Sequence, residues 1–244
     1  MSNATLTEHL LSLQRASYAA ATQHPFLTQA GNGTLPLARL AFWLSQDRIY
    51  AAHAYPRFIG SLISRIPFQQ TDTISGSNEH QNQDILKVLV SCLDNIVREI
   101  SFFEDTAQKF GMDMEGWVER KGTRDYTAEM SRVASTGSLE EGLVFLWAME
   151  QVYFEAWTNV RITLDSNDSV PLESTPAVRE FSANWSSPEF AAFVKALANL
   201  VNKLNIFPGT DAWRRAEAVW LRVVELEIGF WPEEGEESHM KKTL

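Results

Sequence analysis

The chain has 244 residues, long enough to bury a substantial core, and its balance of 45% hydrophobic, 21% charged and 11% aromatic residues is that of a globular protein rather than a disordered one. A formal net charge of −10 excludes a surface built to displace counterions from nucleic acid and disfavours an anionic membrane. The single cysteine, Cys92, excludes an intrachain disulfide and a multi-cysteine zinc site. The first residues lack the basic start, apolar core and small-residue cleavage site of a secretory signal, and no apolar run approaches the ~20 residues that span a bilayer. A cytoplasmic protein without membrane partners is expected.

Helical spacing dominates and no convincing period-2 strand pattern is found, which predicts an all-α fold. A first helix is expected over residues 6–23, ended by His24-Pro25. A turn at Ala30-Gly31-Asn32-Gly33 leads into a second helix, opened by Thr34 and Pro36 and reaching Tyr55; Pro56 should kink or end it, with residues 57–65 as a continuation. Residues 68–84, rich in Ser, Asn and Gln, read as a surface loop within one domain. A third helix follows over 84–110, stopped by Gly111, then a short one over 125–134. Ser138 with Glu141 three residues on makes a capping box that opens a helix to about residue 164. After a loop over 165–176, helices are expected over 177–183, over 187–203 with Pro188 in the first turn, and over 211–231, ended by Pro232. Residues 1–244 read as a single helical domain whose acidic tail, 233–244, should lack fixed structure.

Three acids stand out because their helical neighbours are apolar. Three, four and seven positions from Asp47 lie Leu40, Trp43, Leu44, Tyr50, Ala51 and Ala54; around Glu150 lie Leu146, Trp147, Tyr153, Phe154 and Trp157; around Glu227 lie Trp220, Val223, Val224, Phe230 and Trp231. A buried carboxylate without a partner costs several kcal/mol, so these acids need cations, hydrogen bonds or protonation. One polar pocket shared by all three is the economical arrangement; separate structural ion pairs are the alternative. Asp94 and Glu99 also sit near apolar positions, but Asn95 and Arg98 give them polar company and a structural role.

Other chemistries lack their signatures. Cys92, between apolar residues, reads as a small core residue. The five histidines do not supply the two Glu-x-x-His motifs of a carboxylate-bridged di-iron bundle, so no metal site is expected, and there is no Gly-rich phosphate loop, no Gly-x-Ser-x-Gly elbow and no sign of a cofactor.

The run HPFLTQAGNGTLPLARLAFWLSQDRIY, residues 24–50, resembles the opening of the TenA/thiaminase II family, in which an HPF segment, a G-x-L-P turn and a helix ending in Q-D-x-x-Y follow in that order. EISFFEDTAQKFG, DYTAEM, LWAMEQVYFEAW and ELEIGFW occupy the family's later positions, so the resemblance covers residues 5–231. It implies a heme oxygenase-like helical bundle, a homo-oligomer (dimer or tetramer) and a deep pocket for a small pyrimidine ligand derived from thiamin. By position, Asp47 resembles the acid that binds the pyrimidine amine, remaining ionised to do so; Tyr50, Tyr126 and Tyr153 resemble the pocket aromatics, and Glu227 the catalytic acid. Met149 stands where the best-known branch has a cysteine nucleophile, and a thioether cannot do a thiol's covalent chemistry. The sequence looks like the branch that lacks the cysteine and relies on glutamates, with Glu150 joining Glu227. Trp185 stands where a pocket tyrosine is common and should reshape the cavity.

What this implies is hydrolysis of an aminopyrimidine by water attack assisted by carboxylates. The bond broken, whether the thiamin methylene bridge, a pyrimidine amine or a formyl amide, stays open. A non-catalytic binding protein that kept the pocket is the alternative, and an oxidase or heme-degrading relative on the same bundle would require metal ligands.

Overall fold

A computed structural model describes residues 4–70, 76–166 and 173–242. Among them run eleven α-helices: α1 Leu6–Ser12, α2 Arg15–Thr22, α3 Pro25–Gly31, α4 Leu37–Ile49, α5 Tyr55–Ser64, α6 Asn78–Lys109, α7 Lys121–Thr136, α8 Leu139–Asp165, α9 Thr175–Trp185, α10 Pro188–Asn202 and α11 Asp211–Phe230. A π-helical turn, Tyr50–Ala54, joins α4 to α5. No strand occurs among the described residues.

The helix starts follow capping chemistry. Ser138 and Glu141 form the expected reciprocal box at α8, Thr5 and Glu8 form another at α1, and Ser77 and Ser187 cap α6 and α10. α8 is the central element: every residue from Gly142 to Met149 is buried, the pattern of a helix packed on all sides. Helices α2, α3, α9, α10 and α11 pack around it.

Several expectations need correction. The first helix is two: Leu13 is extended and Gln14 left-handed (φ 42°), which lets α1 pack on α10 while α2 turns onto α8 and α11. His24-Pro25 ends α2 and also starts α3, with Pro25 in its first turn and the His24 ring accepting from the Phe26 amide at 3.2 Å. The segment expected to be loop over 68–84 already belongs to α6 from Asn78. Its polar first turn is used inward, the Glu79 carboxylate accepting from the Gln69 amide (2.7 Å), Asn82 (3.2 Å) and Gln83 (2.8 Å). Residues 71–75 of that segment, and 167–172 of the loop expected over 165–176, lie outside the described residues.

The helical run does not end at Pro56. Its ring would collide with the carbonyl four residues back, and the wider π turn just before it relieves that clash while the chain stays helical.

The acidic tail, expected to be without fixed structure, is pinned along residues 233–242 by two buried arginines. Arg120 makes a bidentate pair with Glu236 (2.8 and 2.7 Å) and Arg39 one with Glu237 (2.9 and 3.1 Å). Backbone bonds from Val118 to Met240 and from Lys242 to Gly116, both 2.8 Å, extend the contact. The tail carries the counter-charges of arginines that lie far away in sequence.

Candidate functional site

The residues singled out in the sequence line one cavity: Asp47 and Tyr50 from α4 and the π turn, Tyr126 from α7, Met149, Glu150 and Tyr153 from α8, Trp185 from α9 and Glu227 from α11. Tyr55 and Glu99 also line it, together with the apolar Ala51, Ile96 and Phe230. The π turn explains Tyr55. In a regular α-helix the face carrying Asp47 and Ala51 continues at Ala54, whereas one extra residue in the turn brings Tyr55 there instead.

Each carboxylate receives one aromatic donor. The Tyr153 hydroxyl donates to Asp47 Oδ2 at 2.9 Å, the Tyr55 hydroxyl to Glu150 Oε1 at 2.7 Å and the Tyr126 hydroxyl to Glu227 Oε1 at 2.6 Å, while the Trp185 indole N–H donates to Glu99. Glu227 Oε2 is buried with no partner among the described residues. Among the described residues no lysine, arginine or histidine lines the cavity. The buried acids are therefore held by hydrogen bonds and protonation, the arrangement left when cations are absent.

Electrostatics follow from this. Burial pushes the Glu150 and Glu227 carboxyls up to about 8 and the Glu99 carboxyl up to about 7, each partly opposed by its aromatic donor. Asp47 is raised well above the usual range by burial and then by the nearby Glu99 charge, with the Tyr153 hydrogen bond working the other way. An ionised Asp47, expected from the resemblance, is thus not the state the empty cavity favours; it needs a ligand that brings positive charge or hydrogen-bond donors. Burial likewise holds Tyr50, Tyr55, Tyr126 and Tyr153 protonated, as donors.

The aromatic walls are rigidly braced. Tyr153 stacks on Trp231 (centroids 5.8 Å, 14° between planes) and meets Trp185 edge-on at 5.1 Å, while Tyr50 meets Tyr126 edge-on at 5.3 Å. The Tyr50 hydroxyl reaches Met149 Sδ at 3.2 Å, so the position resembling a nucleophile's holds a thioether tied to the wall. Cys92 is buried, its thiol pushed up by burial, and is absent from the cavity wall.

A close helix crossing aligns Tyr126 with Glu227. Gly122 on α7 approaches Gly229 on α11 so nearly that a β-carbon there would sit 2.0 Å from the Gly229 oxygen. Arg120 secures the crossing by donating to the Gly229 and Phe230 carbonyls at 2.9 and 2.6 Å.

Glu99 was read as structural. Arg98 and Asn95 do not accompany it: Arg98 turns to Asp94 at 3.4 Å and to Asn95, leaving Glu99 facing the cavity. A usable signal existed, because Ile96, Phe102 and Phe103 lie three and four positions away, the same apolar surround as for the other acids. Glu99 and Glu150, with Tyr55 and Ile96, also line an adjoining cavity. Among the described residues no three acids, histidines or cysteines gather as a ligand set for a metal ion.

The family model described as TENA/THI-4/PQQC matches residues 13–237. The chain belongs to that family. Among curated TENA/THI-4/PQQC relatives, a soybean protein called "Probable bifunctional TENA-E protein" is 24% identical over 227 residues, covering 93% of this chain and 91% of the relative. The "Aminopyrimidine aminohydrolase" of Halalkalibacterium halodurans is 22% identical over 231 residues, covering 93% and 92%. A crystal structure of a TenA homologue from Pyrococcus furiosus superposes with a TM-score of 0.77 at 27% identity, over 93% of this chain and 98% of that one. The all-α, heme oxygenase-like fold expected from the sequence is thereby established.

Proposed function

We propose that this TENA/THI-4/PQQC member hydrolyses an aminopyrimidine derived from thiamin, using carboxylates and water without a cysteine nucleophile. The observation that carries the reading is the ring of four acids in one aromatic cavity, each with a single aromatic donor and none with a cation. A flat heterocycle bearing amino groups supplies what the ring lacks: faces for the tyrosines and N–H donors for the carboxylates.

In this reading Asp47, braced by Tyr153, takes the exocyclic amine and ring nitrogen. Glu227, whose Oε2 has no partner among the described residues, accepts a proton from water in its ionised form, roughly a tenth of the molecules at pH 7 for a carboxyl held up to about 8, as the water oxygen bonds to carbon. Glu150, held near neutral pH in its protonated form, delivers a proton to the departing nitrogen. One carboxyl gains a proton and the other loses one, so charge balances, and buried acids with values near 8 suit both tasks at neutral pH. Glu99 and Glu150 border both cavities. The name of the H. halodurans relative supports a C–N bond as the one cleaved.

Met149 favours a second reading, a binding protein that kept the pocket after losing catalysis. Incubation with thiamin and a panel of its pyrimidine breakdown products in ¹⁸O-labelled water, followed by mass spectrometry, separates the two. Hydrolysis gives a product carrying the label, and Glu227→Gln slows its formation by roughly 10²-fold or more. Saturable binding with no product supports the second reading, and unchanged turnover in Glu227→Gln overturns the role given to Glu227.

A further inference from the structure

The four acids of the cavity are not equivalent. Asp47 and Glu227 are buried, whereas Glu99 and Glu150 are half-buried, and of the four these two also line the adjoining cavity. That outer cavity lies between α6 and α10, and Asn184 and Glu189 are exposed among its walls, so it opens to solvent. Phe102, Phe190 and Phe193 give it apolar faces. Arg98, its one cation among the described residues, has a side chain 70% exposed and turned to Asp94 at 3.4 Å. Aromatic faces and acids without a committed cation suit a positively charged organic group.

The hydrogen-bond donors differ as well. A phenol hydroxyl both donates and accepts, so Tyr153, Tyr55 and Tyr126 can serve Asp47, Glu150 and Glu227 whether or not the acid holds its proton. The indole N–H that Trp185 presents to Glu99 can only donate. Trp185 cannot turn away, because it is buried against Trp157 (centroids 5.1 Å), Tyr153 (5.1 Å) and Phe181 (5.4 Å). Glu99 therefore always faces a donor, which favours its carboxylate.

The surrounding groups agree with that assignment. Burial holds Tyr55, Tyr153 and the Cys92 thiol protonated, and it holds Glu150 and Glu227 up to about 8, against about 7 for Glu99. The Glu99 charge in turn raises Asp47 and Glu150. Glu189 and Arg98 stand exposed beyond it. At neutral pH the negative charge of the acid ring thus resides first on Glu99, in the partition between the two cavities. A neutral group placed there would leave a desolvated carboxylate without a counter-charge, whereas an ammonium completes it.

We propose that Glu99 is a specificity-determining residue that selects, among aminopyrimidines, those whose side arm carries a positive charge. The inference rests on the proposed aminopyrimidine ligand and divides its recognition in two: Asp47 reads the heterocycle, and Glu99 reads the arm while keeping its bond from Trp185.

Two aminopyrimidines that differ only in an aminomethyl or a hydroxymethyl arm are the probes, titrated calorimetrically into the full chain carrying Glu227→Gln so that turnover is slow. The aminomethyl compound should bind roughly tenfold or more tightly than its neutral counterpart at pH 8. That preference should shrink at pH 6, where Glu99 is protonated and the arm remains charged. Adding Glu99→Gln, which keeps an acceptor for Trp185, should erase the preference and its pH dependence while the hydroxymethyl compound binds as before; Glu99→Asp, which keeps the charge, should retain a preference of the same sign. A preference unchanged by Glu99→Gln or constant between pH 8 and pH 6, or an equal loss of both compounds in Glu99→Gln, overturns the role of Glu99 with the aminopyrimidine reading intact. Binding of neither compound before Glu99 is altered overturns that reading itself, and this inference with it.

Discussion

Replacing Glu227 by glutamine should stabilise the protein at neutral pH while removing its function. The folded chain holds this carboxyl up to about 8 against an ordinary value of 4.5, with burial as the main cause. A carboxyl raised in this way contributes its full stability below the open-chain value and loses it as pH climbs toward the folded one. Between pH 4.5 and 7 the unfolded chain releases a proton that the folded chain retains, at about 1.4 kcal/mol per pH unit. The accumulated cost at pH 7 is about 3 kcal/mol. Glutamine keeps the side-chain shape and the carbonyl oxygen that accepts from Tyr126 but has no proton to lose. Urea unfolding of both proteins at pH 5 and pH 7 should show the variant ahead by about 1 kcal/mol at pH 5 and by about 3 kcal/mol at pH 7. The latter is a midpoint shift of about 1 M for a slope near 3 kcal/mol/M. A difference equal at the two pH values, or one favouring the wild type at pH 7, would falsify the assignment of Glu227 as a buried, proton-holding acid.

Other outcomes follow from the same geometry. Asp47→Asn should weaken binding of an aminopyrimidine by roughly 10–100-fold in calorimetric titration, the loss of a charge-assisted hydrogen bond. Gly122→Ala should lower stability by about 2–3 kcal/mol in thermal melts, because its methyl group would meet the Gly229 oxygen and separate α7 from α11. Truncation after Pro232 should cost about 3 kcal/mol or more in the same assay, since it leaves Arg39 and Arg120 buried without Glu237 and Glu236.

The parts legible in the sequence were those decided by neighbours along one helix. Ser138 and Glu141 marked the start of α8 because a capping box is a local exchange of hydrogen bonds, and Asp47, Glu150 and Glu227 stood out because three- and four-residue spacing maps one helix face. Features set by distant contacts were harder to read. Nothing local says that Glu236 and Glu237 neutralise Arg120 and Arg39, so an acidic, polar tail resembled free chain. Tyr55 reached the cavity only through the extra residue of the π turn, which displaces every later side chain by one position. Asn95 and Arg98 give Glu99 polar neighbours in sequence, yet adjacent residues on a helix point about 100° apart and Arg98 turns the other way.

The cavity neutralises its acids with protons where other sites would use lysine or arginine, and protons can be exchanged. A cationic guest entering this ring does not simply add to it; it takes the place of hydrogen ions that return to solvent. Hydrogen ion and ligand are therefore competitors for the same four carboxyls, and acidity of the surroundings sets how readily the protein accepts its guest. A positively charged side chain in the wall would have ended that competition by neutralising the acids permanently.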